Sequence, residues 1–206
     1  MKNTTKKSYK KQKMHHIYHT EGIILESRNF GEAGKHYSIF TRDLGMIFAS
    51  AQGVRKMSSK LRFILQDFAY LKIDLVAGKN IFRVTSASKT NQLEQLTKNK
   101  ETFAVFANIA RLLKRLLAGV EPNEALFIEL LNGLNILEKS KTSDDLRNIE
   151  AIIVLRILNN LGYIGENEVL QNIIKSAFEE NLVFEVSKDR IKILHHINKA
   201  LKETHL

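Results

Sequence analysis

The stretch KHYSIFTRDLGMIFASAQG, residues 35–53, decides the fold. Lys35–Thr41 alternates, with Tyr37 and Ile39 set against His36, Ser38 and Phe40, which is the period of a strand. Arg42-Asp43-Leu44-Gly45 is a hairpin turn ending on glycine, and Met46–Gly53 reads as the next strand. Before it, His16–Arg28 is a strand with Ile17, His19, Glu21, Ile23 and Leu25 on one face and Tyr18, Gly22 and Ile24 on the other, punctuated by Asn29-Phe30-Gly31. After it, Leu61–Leu65 and Phe68–Val76 read as a long fourth strand interrupted near Gln66-Asp67. Ala77-Gly78-Lys79-Asn80 then turns the chain into a fifth, Ile81–Ser86. Five short antiparallel strands within about 75 residues predict a small closed barrel of the OB type.

Beyond Ser88 the period becomes helical. Thr90 is placed as an N-cap ahead of Leu93 and Leu96. Thr102 is expected to cap a helix over Phe103–Ala118, stopped by Gly119. Glu121-Pro122-Asn123 opens Glu124–Lys139, Ser143-Asp144-Asp145 starts a helix reaching Leu161, and Gly162 ends it. Val169–Glu180 and Lys188–Glu203 complete the set, while Leu182–Val186 fits no one state. The predicted class is α+β: a disordered basic tail over 1–14, an OB-type barrel over 15–88 and a helical bundle over 89–206.

The net charge is +10, and its placement matters more than its size. Residues 1–90 hold 17 Lys/Arg against 6 Asp/Glu, whereas 91–206 hold 15 against 16. Excess charge confined to the barrel side points to a polyanion, because each cation set on a phosphate releases condensed counterions. Lys2, Lys6, Lys7, Lys10, Lys11 and Lys13 make the tail too polar to bury a core, so it reads as an electrostatic arm or an inert extension. With no cysteine, disulfides and thiolate metal sites are excluded. There is no apolar run of spanning length and no apolar leader near the start, so the expected setting is the cytoplasm, with no membrane partner.

Motifs for catalysis are missing. There is no phosphate-binding glycine loop, no nucleophile context and no carboxylate pair, so the chain reads as a non-enzyme. Asp67 and Asp74 stand alone within the expected fourth strand. His15, His16, His19 and the pair His195-His196 lack ligand spacing and read as solvent histidines, so neither metal nor cofactor is expected. What the barrel does carry is a basic loop. Arg55, Lys56, Lys60 and Arg62 fall in a segment with Ser58 and Ser59, residue types that commonly meet phosphates. Arg28 and Lys35 join them as candidate nucleic-acid contacts. Of the aromatics Phe30, Tyr37, Phe48, Phe63, Phe68, Tyr70 and Phe82, most should fill the interior. Tyr37 and Tyr70 are the preferred base-stacking candidates, because a phenol tolerates water at its tip.

The order of several short segments resembles a known family. Thr20-Glu21-Gly22-Ile23-Ile24-Leu25, Phe30-Gly31-Glu32 and Ile39-Phe40-Thr41-Arg42-Asp43-Leu44-Gly45 are similar to the opening of the bacterial RecO recombination mediators. Gly53-Val54-Arg55-Lys56, Leu65-Gln66-Asp67-Phe68, Thr85-Ser86-Ala87, Glu121-Pro122-Asn123, Leu126-Phe127 and the run Leu155–Tyr163 resemble later family segments. The match covers about residues 17–165. Asp67 stands where the family usually has proline, Ala33-Gly34 replaces a polar pair, and the four-cysteine zinc module of many members is missing. The resemblance implies a mediator of RecF-type repair. Such a protein binds single- and double-stranded DNA, anneals complementary strands without ATP and helps load the recombinase. Its implied partners are RecR and the acidic tail of the single-stranded DNA-binding protein, and its implied location is the nucleoid. From the residues alone, an OB-type RNA binder or a non-catalytic adaptor remains open.

One helical feature bears on the tail. Arg111, Lys114 and Arg115 share a face of the Phe103–Ala118 helix, edged by Leu112. A basic stripe beside apolar side chains suits an acidic peptide that ends in a hydrophobic residue. A solvated face complementing the helix dipole is the plainer reading of the same charges.

Overall fold

The computed structural model describes residues 16–204 except 118, 120, 141 and 166. The expected tail over 1–14 lies outside the described residues. The strands are β1 (Ile17–Phe30), β2 (Gly34–Thr41), β3 (Gly45–Ala51), β4 (Tyr70–Ala77) and β5 (Phe82–Lys89). They close into a barrel in the order β1-β2-β3-β5-β4, antiparallel throughout except for the short parallel β3–β5 seam. This is the OB-type barrel that the strand pattern predicts. Helices follow: α1 (Lys100–Leu116), α2 (Glu124–Lys139), α3 (Ser143–Asn160), α4 (Glu168–Lys175) and α5 (Glu180–Glu203).

The alternation sorts side chains into two cores. Ile24, Tyr37, Ile39, Ile47, Ala49, Leu71, Ile73 and Leu75 fill the barrel. Their neighbours Ile23, Leu25, Phe40, Met46 and Tyr70 point outward and are buried instead in the helical core. There Phe40 lies 5.4 Å and Tyr70 6.2 Å from the Phe127 ring, centroid to centroid. α3 runs through the middle of the helices, and its Arg156, buried with them, reaches Glu129 at 3.2 Å and the Ile173 carbonyl at 3.0 Å. A buried guanidinium tolerates that position because its charge is paired and both terminal nitrogens donate.

Several expected boundaries move for identifiable reasons. Leu61–Leu65 is no strand: Lys60–Phe63 forms a 3₁₀ turn that carries Leu65 into the barrel core. β4 starts at Tyr70 because Phe68 takes φ +67° and turns its ring onto Phe103 and Phe106 of α1. Asp67 is therefore in a turn, and Asp74 in β4 pairs with His19 at 2.7 Å. Thr90 caps no helix, since its hydroxyl donates to the Tyr70 carbonyl at 3.0 Å, and Leu93 and Leu96 are buried from a non-helical segment. Asn99, not Thr102, caps α1 by accepting from the Glu101 amide at 2.8 Å, while the Thr102 hydroxyl donates inward to the Leu96 carbonyl. α4 ends at Lys175, and α5 absorbs Leu182–Val186, which bury Leu182, Val183 and Val186.

The barrel meets the helical part tightly at Gly45. Its φ is +68°, and a Cβ there would lie 2.1 Å from the backbone oxygen of Glu121. Gly45→Ala is expected to destabilise the chain by about 2 kcal/mol or more, since left-handed strain and a backbone clash add. Chemical denaturation checks this, and a variant within about 0.5 kcal/mol of the parent would contradict the packing described.

Candidate nucleic-acid interface

The loop between β3 and β4 is shaped from both ends. Gly53, at φ +68°, reverses the chain after β3. The Arg55 amide donates to the Ala33 carbonyl at 2.9 Å, which ties the loop to the β1–β2 turn. Val54 and Leu65 are both buried in the barrel core, so the polar residues between them are held at the barrel's mouth. Lys35, which follows the inward parity of Tyr37 and Ile39, reaches the same mouth and donates to Ser27 at 3.2 Å. Lys35, Tyr37, Arg55 and Arg62 thus line one cleft of about 420 Å³ with Val54, Leu65 and Gln66. Lys56 and Lys60 are exposed on the loop outside it. Arg28 is not brought there: it lies on the outer face, paired with Glu26 at 3.2 Å.

Both stacking expectations are corrected. Tyr37 is 1% exposed within the barrel, and Tyr70 is buried between barrel and helices with its hydroxyl donating to Glu21 at 2.7 Å. Neither ring can receive a base. Burial pushes the Tyr37 phenol up to about 12, with the Asp67 charge adding to the effect, so it stays protonated. The exposed rings are others. Phe30 is 58%, Phe48 61% and Phe63 69% exposed. Phe30 stacks on His36 at 4.0 Å and 19°, and the Arg62 guanidinium lies 5.6 Å from the Phe63 centroid. His36 and Phe48 stand on the same outer face as Phe40 and Met46, but beyond the edge of the helical cover. Alternation alone marks them as outward; only the position of the helices tells which outward rings stay bare.

A second cationic surface lies on the helices. Arg111, Leu112 and Arg115 of α1 line a groove of about 750 Å³ with Arg147 and Val154 of α3 and Arg190, Leu194 and Ile197 of α5. Arg147 and Arg190 come from helices remote in sequence, so no local spacing reveals them. Asp144 lies 3.9 Å from Arg147 and 3.4 Å from Arg190, and Glu150 accepts from Asn108, so the rim is mixed but mainly basic. Lys114 departs from the expected stripe, turning to the barrel to bond Glu26. The ammonium of Lys114 beside Glu26, with Arg28 adding to it, holds that carboxyl below its ordinary value against the opposing effect of burial. Among the described residues, no three His, Asp or Glu side chains converge as a metal site, and no helix is long and apolar enough to cross a membrane.

The fold and these surfaces define an OB-barrel protein with an appended helical part. Residues 14–93 match the family model described as Recombination protein O N terminal, and residues 98–165 the one described as Recombination protein O C terminal. The chain belongs to the RecO family. It is 33% identical over 153 residues to a DNA repair protein RecO of Heliobacterium modesticaldum, covering 73% of this chain and 53% of that one. With the protein of the same name from Thermodesulfovibrio yellowstonii it shares 28% over 188 residues, covering 89% and 74%. With that of Desulfitobacterium hafniense strain DCB-2 it shares 29% over 147 residues, covering 71% and 52%. The chain spans about half the length of the first and third of these relatives.

The Lys114–Glu26 bridge gives a pH-dependent prediction. A carboxyl whose pKa is lowered by folding contributes stability above its ordinary value and loses it as pH falls through the lowered one. Lys114→Met should cost about 1 kcal/mol at neutral pH, allowing for partial exposure. The gap from the parent should close as the solution is acidified past the carboxylate range. Denaturation of both proteins across pH checks this, and a gap that persists in acid would contradict the assignment.

Proposed function

We propose that this chain is a DNA-binding recombination mediator of the RecF pathway, acting without catalysis and without a cofactor in the bacterial cytoplasm, at the nucleoid. The observation that carries the reading is the barrel's outer surface. A mouth with Lys35, Arg55 and Arg62 adjoins exposed Phe30, Phe48 and Phe63, so phosphates and bases have partners of the right kind side by side. The family membership and the relatives' name, DNA repair protein, support it. On this reading, Lys56 and Lys60 extend the phosphate contacts along the loop, and Arg28 adds one on the outer face. Single strands use both rings and charges. Duplex DNA, its bases stacked, uses the charges. Annealing follows when a strand held by its backbone keeps its pairing edges free.

Arg55→Ala with Lys56→Ala should lower affinity and reduce the log–log salt slope on duplex DNA by about two. Phe48→Ala should weaken single-strand binding by about 1–3 kcal/mol while duplex binding changes far less. Titrations at several salt concentrations check both, and an unchanged slope would place the DNA elsewhere.

The helical groove is proposed as the dock for the acidic tail of the single-stranded DNA-binding protein. Arg111, Arg115, Arg147 and Arg190 would meet its carboxylates, and the apolar floor its terminal side chain. Lys114 is engaged with Glu26 and supports the site only indirectly. RecR is the further partner implied by family membership. Arg111→Glu with Arg115→Glu should weaken a synthetic acidic tail peptide about tenfold or more at low salt while naked-DNA binding survives. Equal peptide affinity would remove the groove from the account. The decisive assay for the function is annealing of complementary oligonucleotides coated with the single-stranded DNA-binding protein. Acceleration without ATP is expected, and failure to accelerate would contradict the proposal.

A further inference from the structure

The cleft at the barrel's mouth has a feature that general backbone binding does not use. The Tyr37 hydroxyl is buried and has no hydrogen-bond partner among the described residues. A buried donor left unmet is costly and calls for an explanation. Tyr37 lines the same cleft as Lys35, Arg55 and Arg62, and none of these three cations pairs with a carboxylate among the described residues. Val54 and Leu65, both buried in the barrel core, complete the cleft's lining. Asp67 is the one carboxylate whose charge reaches the phenol, and it accepts no hydrogen bond from it.

We propose that this cleft receives the terminal phosphate of a DNA strand. Charge and hydrogen-bond number select an end over an internal phosphate. A phosphate monoester carries close to two negative charges at neutral pH where a diester carries one, and it has three free oxygens. Three cations and a protonated phenol therefore discriminate in its favour by charge and by hydrogen-bond number. The volume of about 420 Å³ also leaves room for the sugar of the last nucleotide behind its phosphate. The phenol supplies the donor that no protein group accepts. The inference rests on the proposal that the barrel binds DNA, and it adds that strand ends bearing phosphate are preferred.

The test compares three single-stranded oligonucleotides of one sequence, bearing a 5′-phosphate, a 3′-phosphate or hydroxyls at both ends. Each is titrated by anisotropy into the full chain. The expected result is that one phosphorylated oligonucleotide binds about tenfold more tightly than the unphosphorylated one, as one charge-assisted hydrogen bond supplies. Which of the two does so names the polarity. In Tyr37→Phe, which keeps the ring in the core, the ratio should fall to about twofold or less. Lys35→Gln, a change at the mouth that leaves the core intact, should lower the ratio in the same direction. A ratio of one in the parent, with all three oligonucleotides bound, overturns the end site and leaves general DNA binding standing. A preference that survives both substitutions overturns it equally. Failure of the parent to bind any of the three overturns the DNA-binding reading itself.

Discussion

The structure depends on one arrangement: β1 is buried on both faces. Ile24 faces the barrel interior, while Ile23 and Leu25, its neighbours on either side, face the helices. Phe40 on β2 and Met46 on β3 do the same, and Phe40 packs on Phe127. A barrel of this size has too little interior to be strongly stable alone, and the apolar outer half makes the helices part of its support. The same packing sets what the barrel can offer to a partner. Helices occupy one half of the β1–β2–β3 outer face, so exposed chemistry is confined to the other half and to the mouth.

That division explains the placement of charge. The bare half carries Phe30, His36 and Phe48, and the mouth carries the cations of the β3–β4 loop. At the boundary, Lys114 crosses from α1 to Glu26, which also holds Arg28. Lys114, a charge that looks available in the sequence, is therefore engaged in holding helix to barrel. The second cationic surface, rimmed by Arg111, Arg115, Arg147 and Arg190, opens from helices α1, α3 and α5. On the proposed function, two separate cationic surfaces let one chain grip a nucleic acid and an acidic peptide at once.

Much of the fold was legible because alternation and caps are local signals. α2 spans the expected Glu124–Lys139, and the hairpin at Arg42–Gly45 sits where its residues placed it. The failures share a cause. Phe68 at positive φ, Leu65 plugging the barrel and Thr90 donating to Tyr70 each follow a tertiary demand over a local one. The site divides in the same way. Of the loop cations Arg55, Lys56, Lys60 and Arg62, Arg55 and Arg62 line a cleft with Lys35, and Arg111 and Arg115 share a groove. Tyr37 points into the barrel and Tyr70 lies under the helices, so neither is free to stack; which rings face inward and which outward ones the helices cover are set by the tertiary fold. Arg147 and Arg190 were missed, because their partners lie on other helices.

That DNA meets the uncovered half of the barrel is tested by amide hydrogen exchange with and without a single-stranded oligonucleotide. Protection is expected over residues 28–38, around Phe48 and through the loop 53–63, with α3 and α5 unchanged. Protection concentrated on α1, α3 and α5 around Arg147 and Arg190, with the barrel mouth unaffected, would contradict it.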